Sequence, residues 1–176
     1  LVVLADSIVR GTTLKESILT MLDRLQPKKI IVVSSAPQIR YPDCYGIDMS
    51  KMGSFVAFQA AVRLWKIKDE KFLPDLFRRC KEELQKPPLE MQNLVKEVYA
   101  PFTDEEISKE IANIVKPNHI FSDVEVIYQT IDNLHQACPN NLGDWYFTGN
   151  YPTPGGNRVT LKAFVNYMEG KNVRAY

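Results

Sequence analysis

The sequence predicts an α/β protein, in which a partial doubly wound parallel sheet is followed by a mainly helical C-terminal part. The continuously apolar segment 1–5 and the segment 29–33, which is apolar after Lys29, are typical of strands buried in a parallel sheet. Between them, apolar residues recur at helical spacing. A strand, a crossover helix and a second strand over this length form a parallel βαβ unit with a right-handed connection.

The helix of this βαβ unit has a start signal and a stop signal. Thr13 and Glu16 form the T-x-x-E pattern of a capping box, and Gln26-Pro27 ends the helix. The residues expected to face the sheet are Leu14, Ile18, Met21, Leu22 and Leu25. Because a buried strand at an extreme terminus leaves its neighbours upstream, we expect a fragment of a longer protein. Its open edge at 1–5 favours a homodimer or a swapped assembly.

Downstream of the second strand the pattern is mainly helical. Thr103 and Glu106 form a second capping box, Asp123 is expected to cap a helix carrying Val124, Ile127, Ile131 and Leu134, and Gly170 is a helix stop signal. The helices predicted here lie at about 55–65, at about 76–84, after Pro87-Pro88, from 103, from 123 and at about 159–169. Residues 138–157 have the composition of a loop rich in aromatic side chains.

The composition excludes several classes of protein. The 176 residues are 45% hydrophobic and carry 22 basic and 21 acidic residues, so nothing predicts a broad surface for nucleic acid or for a membrane. No apolar run approaches the about 20 residues of a membrane span. The cysteines, Cys44, Cys80 and Cys138, form no C-x-x-C pair and are expected to be reduced thiols in a cytoplasmic protein.

The strongest functional signal is the loop D-S-I-V-R-G-T-T, residues 6–13, between the first strand and its helix. Backbone N–H groups at a helix start form a phosphate cradle, and Gly11 lets the backbone approach a ligand. The hydroxyls of Thr12 and Thr13 add hydrogen bonds to phosphate, and Asp6 lies where open α/β sheets bind their ligands. The alternative is that Thr13 is only a cap, Gly11 only a turn and Asp6 only a solvated loop residue.

The string L-V-V-L-A-D-S-I-V-R-G-T-T resembles the phosphoribosyl pyrophosphate (PRPP) signature of type I phosphoribosyltransferases. It is most similar to that of the amidophosphoribosyltransferase family. Two further strings support the resemblance: S-S-A-P-Q-I-R-Y-P at 34–42, leading into Y-G-I-D-M at 45–49, and F-T-G-N-Y-P at 147–152. The resemblance implies division into 1–62, the C-terminal half of the transferase domain, 63–101, a helical insertion, and 102–176, a helical segment with the F-T-G-x-Y-P loop.

The resemblance also implies a reaction and its residues. In that family, ammonia derived from glutamine attacks PRPP to give phosphoribosylamine and pyrophosphate, a step of purine biosynthesis. Ser7, Arg10, Gly11, Thr12 and Thr13 would then hold the 5′-phosphate. Asp6 would be the catalytic carboxylate, holding the ribose hydroxyls and magnesium. Implied partners are PRPP, purine nucleotides and the rest of the polypeptide, which includes a glutaminase domain and further transferase strands.

Three departures from the family pattern modify these expectations. Ala5 replaces the first of two adjacent acidic residues of the signature, which suggests as an alternative a non-catalytic module that senses PRPP or a nucleotide, or serves assembly. The chain also contains no glutaminase domain and lacks the upstream transferase strands and the loop that closes over PRPP, so this fragment alone is expected to be inactive. Some family members hold an iron–sulfur cluster on cysteines before the F-T-G-x-Y-P segment, and no cluster is expected here, because no cysteine lies at 140–146.

Other residues admit two interpretations. Tyr45, Gly46 and Asp48 either line a nucleotide pocket or form a turn that returns the chain to the core. Arg40 either pairs with an anionic ligand or, more commonly for a loop arginine, with a surface carboxylate. The aromatic residues Phe55, Phe58 and Trp65 are expected in the core or in a subunit contact, and those at 145–151 are expected to hold the C-terminal segment against the domain.

Overall fold

The computed structural model describes residues 1–46, 49–141 and 143–175, and its centre is a three-stranded parallel sheet. The strands are β1 (Val2–Ala5), β2 (Lys29–Ser34) and β3 (Asp123–Tyr128), in the spatial order β1-β2-β3. In the register, Val3 pairs with Val32, and Val32 pairs with Val126. The predicted α/β class is confirmed, and β1 lies at one edge of the sheet.

Helices provide the rest of the fold, and they dominate after β2. They are α1 (Leu19–Asp23), α2 (Val56–Lys68), α3 (Phe72–Glu83), α4 (Asp104–Val115), α5 (Ile131–Ala137), α6 (Trp145–Thr148) and α7 (Pro154–Met168). A π-helical turn at Leu14–Ile18 runs directly into α1, and short 3-10 turns occur at Met52–Ser54, Pro88–Glu90 and Leu94–Val98.

One apolar core joins the sheet to the helices. Ile30, Val32 and Val126 of the sheet belong to the same buried cluster as Leu19 of α1 and Ile111 of α4. The aromatic residues predicted to be internal are also in this cluster: Phe55, Phe58 and Trp65 are each less than 10% exposed. The indole N–H of Trp65 donates to the carbonyl of Val98 at 2.8 Å, so the 3-10 turn at 94–98 is fixed to α2.

Several predicted helical features are wrong. The segment 123–128 is the strand β3 rather than a helix capped by Asp123, and the next helix begins only at Ile131. After Pro87-Pro88 the chain forms 3-10 turns instead of an α-helix. Of the residues expected to face the sheet from the first helix, Met21 and Leu25 are 57% and 70% exposed.

The aromatic C-terminal segment is held to the loop after β2, as the sequence predicted. The backbone carbonyl of Tyr146 accepts hydrogen bonds from the N–H groups of Arg40 and Tyr41, at 2.9 and 3.1 Å. The Tyr146 hydroxyl donates to the buried carboxyl group of Asp43 at 2.6 Å. The Tyr151 hydroxyl donates to the Pro42 carbonyl, and burial raises the pKa of Tyr151.

Within the described ranges, none of the helices is long and apolar enough to cross a membrane.

Candidate functional site

The loop that follows β1 is tied to the carboxyl end of β2. The N–H of Ser35 donates to the carbonyl of Ala5 at 2.9 Å, and the Ser35 hydroxyl donates to the carbonyl of Asp6 at 3.0 Å. These bonds fix the point where the chain leaves the sheet. The carboxylate of Asp6 is exposed there, and its Oδ1 accepts the N–H of Ser7 at 2.7 Å.

The second half of the loop is fixed to α2 and to the following helix. The N–H of Val56 donates to the carbonyl of Val9 at 2.8 Å. Gly11 has φ +71°, in the left-handed region, and a Cβ there would lie 2.7 Å from Cγ1 of Val115. The backbone of Gly11 therefore packs against α4 at a distance that only glycine allows without displacement.

A helix begins immediately after Gly11. Lys15 donates its N–H to the carbonyl of Gly11 at 3.0 Å, the first hydrogen bond of the helix. The N–H groups of Thr12, Thr13 and Leu14 precede that bond, so they have no carbonyl partner within the helix. The positive end of the helix dipole thus lies at residues 12–14.

The capping box predicted at Thr13 and Glu16 does not form. Thr13 has helical backbone angles, φ −60° and ψ −38°, and its side chain makes no capping hydrogen bond. Because the helix already begins at Thr12, the hydroxyl of Thr13 does not face the N–H of residue 16. The side chains of Thr12 and Thr13 are both exposed.

A cavity of about 680 Å³ opens over this loop, within the range of small-molecule sites. Its lining comprises Leu4, Ala5, Asp6, Ser7, Ile8, Val9, Arg10, Gly11, Thr12, Thr13, Leu14, Ile18 and Met49. Every residue from Asp6 to Thr13 therefore contributes to one concave surface. The apolar wall formed by Ile18 and Met49 was not predicted as part of the site. The one sequence feature that pointed to Met49 is its place at the end of the string Y-G-I-D-M.

A smaller cavity, of about 260 Å³, adjoins the loop at Arg10. Arg10 and Lys51 both line it, together with Met49, Ser54 and Asn172. Lys51 was absent from the predicted site. The sequence distinguishes it only as a basic residue two positions after Met49. Two cationic side chains thus lie beside the start of the helix, where its dipole is also positive.

The remaining predicted residues lie elsewhere. Tyr45 packs edge-on against Trp145, with ring centroids 5.5 Å apart, and it does not line the cavity over the loop. Asp48 lies outside the described residues. Arg40 donates to Oε1 of Gln38 at 2.7 Å and forms an ion pair with Asp104. The ion pair with Asp104 is the pairing with a surface carboxylate that the sequence favoured.

Part of this chain is similar to known amidophosphoribosyltransferases. A segment of 53 residues, 30% of the chain, is 51% identical to the enzyme of Pasteurella multocida. The enzyme of Escherichia coli is 48% identical over 52 residues, and that of Saccharomyces cerevisiae is 45% identical over 53 residues. The match spans 10% of the length of each of these relatives. The predicted resemblance to a part of an amidophosphoribosyltransferase is confirmed.

Two other comparisons gave no match. No protein-family profile matches the chain, and no solved structure matches it.

Proposed function

We propose that this chain is the PRPP-binding part of a cytoplasmic amidophosphoribosyltransferase of purine biosynthesis. In this proposal the loop 6–13 holds the 5′-phosphate of PRPP, and the larger protein transfers its phosphoribosyl group to ammonia. The observation that supports it most is the cavity over the loop, because all eight residues of the loop line it.

The phosphate would bind at the start of the helix. The N–H groups of Thr12, Thr13 and Leu14 have no carbonyl partner within the helix, and the positive end of the helix dipole favours an anion at that place. The exposed hydroxyls of Thr12 and Thr13 are available as further donors. Arg10, which also lines the cavity, adds a positive charge beside the phosphate.

Asp6 is the carboxylate that suits the ribose and a metal ion. Its side chain is exposed in the cavity at the end of β1, and only one of its oxygens receives the N–H of Ser7. Magnesium is commonly held by one or two carboxylates together with substrate phosphates. Asp6 therefore fits a magnesium ion that enters with PRPP, although the described residues contain no cluster of three metal-binding side chains.

In this reaction the protein contributes mainly by positioning the substrates and by stabilising charge. Ammonia forms a bond to the anomeric carbon of PRPP, the bond to the pyrophosphate oxygen breaks, and the amine then loses a proton. Magnesium, when bound, neutralises negative charge on the leaving pyrophosphate. The loop 6–13 anchors the opposite end of the ribose, so that the anomeric carbon is held in one place during the displacement.

The test is a calorimetric titration of this chain with PRPP and magnesium, repeated with Thr13→Ala. We expect weak binding, and we expect Thr13→Ala to lower the affinity about tenfold, the equivalent of about 1.4 kcal/mol. Binding should also weaken at higher ionic strength, because the contacts are between charges near the surface. Inorganic phosphate should compete with PRPP for the same place.

Ser17→Ala is the matched control, because Ser17 lies exposed on the same helix but outside the cavity lining. Its affinity for PRPP should equal that of the unchanged chain. Equal affinities of all three proteins, or no binding at millimolar PRPP, would contradict a phosphate site at this loop.

A further inference from the structure

Ser35 bonds to two consecutive carbonyls of the chain at the point where β1 ends. Its backbone N–H donates to the carbonyl of Ala5 at 2.9 Å, and its hydroxyl donates to the carbonyl of Asp6 at 3.0 Å. The first bond continues the pairing of β1 with β2, in which Ala5 lies opposite Ser34, and any residue except proline can make it. The second bond needs a short side chain with a hydroxyl group, so it is particular to the serine at position 35.

The peptide group between Asp6 and Ser7 is hydrogen-bonded at both of its ends. Its carbonyl accepts the hydroxyl of Ser35, and its N–H donates to Oδ1 of Asp6 at 2.7 Å. The peptide is trans, so its carbonyl and its N–H lie in one plane and point in opposite directions. A bond that fixes the carbonyl therefore also fixes the N–H that the Asp6 carboxylate accepts.

These linked bonds restrict the orientation of the Asp6 carboxylate. The bond from the N–H of Ser7 occupies Oδ1, which limits rotation about the Cα–Cβ bond of Asp6 and leaves Oδ2 available to a ligand. The carboxylate is exposed and lines the cavity over the loop. The direction in which it presents Oδ2 thus depends on the peptide group that Ser35 holds.

We propose that Ser35 is a positioning residue for Asp6: its hydroxyl orients the Asp6–Ser7 peptide group, and through it the carboxylate that receives magnesium and the ribose hydroxyls of PRPP. This inference rests on the proposed function and extends it to a residue outside the cavity. Ser35 is exposed and does not line the cavity, so it acts on the ligand through Asp6 and not by contact.

The alanine before Asp6 makes the orientation of this carboxylate more important. Two adjacent acidic residues at the end of a strand would offer a metal ion two carboxylates, whereas here Ala5 precedes Asp6. Mg²⁺ requires nearly ideal octahedral geometry, which a single freely rotating carboxylate satisfies in only part of its orientations. A carboxylate that is already oriented loses less conformational freedom when the ion binds, and pre-orientation therefore raises the affinity.

The neighbouring serine has a different role. Ser34 is buried, and its hydroxyl donates to the carbonyl of Ala36 at 2.8 Å, within its own segment. Of the two hydroxyls in the string S-S-A-P, that of Ser35 is therefore the one that bonds to the loop after β1.

Two variants at position 35 separate the hydroxyl from the rest of the residue. Ser35→Ala removes the hydroxyl and keeps the backbone bond to Ala5, whereas Ser35→Thr keeps both. NMR coupling constants that report the χ1 angle of Asp6 measure its orientation in the 176-residue chain without any ligand. We expect one χ1 rotamer in the unchanged chain and in Ser35→Thr, and averaged couplings in Ser35→Ala. One rotamer in all three proteins would overturn the proposal.

Calorimetric titration with PRPP and magnesium measures the consequence for binding. Ser35→Ala should lower the affinity for PRPP about threefold to tenfold, the range for one lost hydrogen bond, and Ser35→Thr should bind as the unchanged chain does. The affinity for inorganic phosphate, which needs only the start of the helix, should be the same in all three proteins. Equal losses for PRPP and for phosphate in Ser35→Ala would show that Ser35 supports the loop as a whole, and would overturn the proposal.

A double variant determines whether the effect passes through Asp6. In an Asp6→Asn background, which lacks the carboxylate charge, the addition of Ser35→Ala should cause no further loss of PRPP affinity. A further loss as large as that in the unchanged background would place the effect of Ser35 elsewhere and overturn the proposal. Failure of the unchanged chain to bind PRPP would contradict the proposed function itself, and the χ1 couplings would still decide whether Ser35 orients Asp6.

Discussion

Gly11 and Val115 approach each other so closely that a Cβ on Gly11 would lie 2.7 Å from Cγ1 of Val115. This contact joins the candidate phosphate loop to the last turn of α4, although the two residues are distant in sequence. Gly11 also has φ +71°, which a residue with a side chain adopts only at a cost. The loop is therefore shaped by the core beneath it as well as by its own sequence.

Gly11→Ala should lower the free energy of unfolding by about 2 kcal/mol or more. The left-handed conformation of an alanine costs about 1 kcal/mol. Overpacking against Val115 costs about 1–3 kcal/mol more. Gly170→Ala is the matched control, because Gly170 has φ +68° and no atom lies within 4 Å of its Cβ position. It should cost only the strain. Urea denaturation of the two variants measures the difference, and equal losses would contradict the contact. Combining Gly11→Ala with Val115→Ala should recover part of the overpacking cost.

Tyr146→Phe should destabilise the protein by about 1–3 kcal/mol, since it removes the hydroxyl that donates to Oδ1 of the buried Asp43 carboxyl group at 2.6 Å. Tyr128→Phe is the control: among the described residues the Tyr128 hydroxyl has no hydrogen-bond partner, so its removal should cost nothing. Burial and the bond to Asp43 raise the pKa of Tyr146 to about 12. The difference between the absorbance titrations of the unchanged protein and of Tyr146→Phe should therefore show Tyr146 ionising later than a tyrosine in solution, and a difference at the ordinary pH would contradict the bond.

Asp23 joins the end of α1 to the start of β3, and this link should depend on pH. Its Oδ1 accepts the hydroxyl and the N–H of Ser122, at 2.6 and 2.9 Å, and these bonds lower the pKa of Asp23 below 3.8. A carboxyl with a lowered pKa stabilises the fold at pH values above 3.8, and this contribution is lost as the pH falls through the pKa of the folded state. NMR titration of the carboxyl carbon should show the low pKa, and Ser122→Ala should move it upward. An unchanged pKa in that variant would contradict the link.

Much of the fold was predictable because its first βαβ unit is local in sequence. Segments 1–5 and 30–33 are apolar, and the helix between them has the expected period. The segment 123–128 also fits a helix, because Val124, Ile127 and Ile131 recur at helical spacing. Its alternating residues Val124 and Val126 fit a strand equally well, and pairing with β2, a contact distant in sequence, decides between the two.

The candidate site was predictable as a string but not as a surface. Residues 6–13 adjoin one another in the sequence and line one cavity. Met49 and Lys51 reach that region only because the chain after β2 returns over the helix start. Tyr45 lies in the same stretch but packs on Trp145, a contact between segments about one hundred residues apart that local spacing does not encode.

The two T-x-x-E sequences of this chain should respond differently to alanine. Thr103 forms a complete capping box: its hydroxyl accepts the N–H of Glu106 at 3.2 Å, and the Glu106 carboxylate accepts the N–H of Thr103 at 2.8 Å. Thr103→Ala should therefore cost about 1 kcal/mol of stability. Thr13 makes no capping bond, so Thr13→Ala should leave the denaturation midpoint unchanged. Thermal denaturation of both variants checks this, and a loss at Thr13 equal to that at Thr103 would mean that Thr13 caps its helix after all. With stability unchanged, weaker PRPP binding by Thr13→Ala reports the loss of a ligand contact and not a loss of fold.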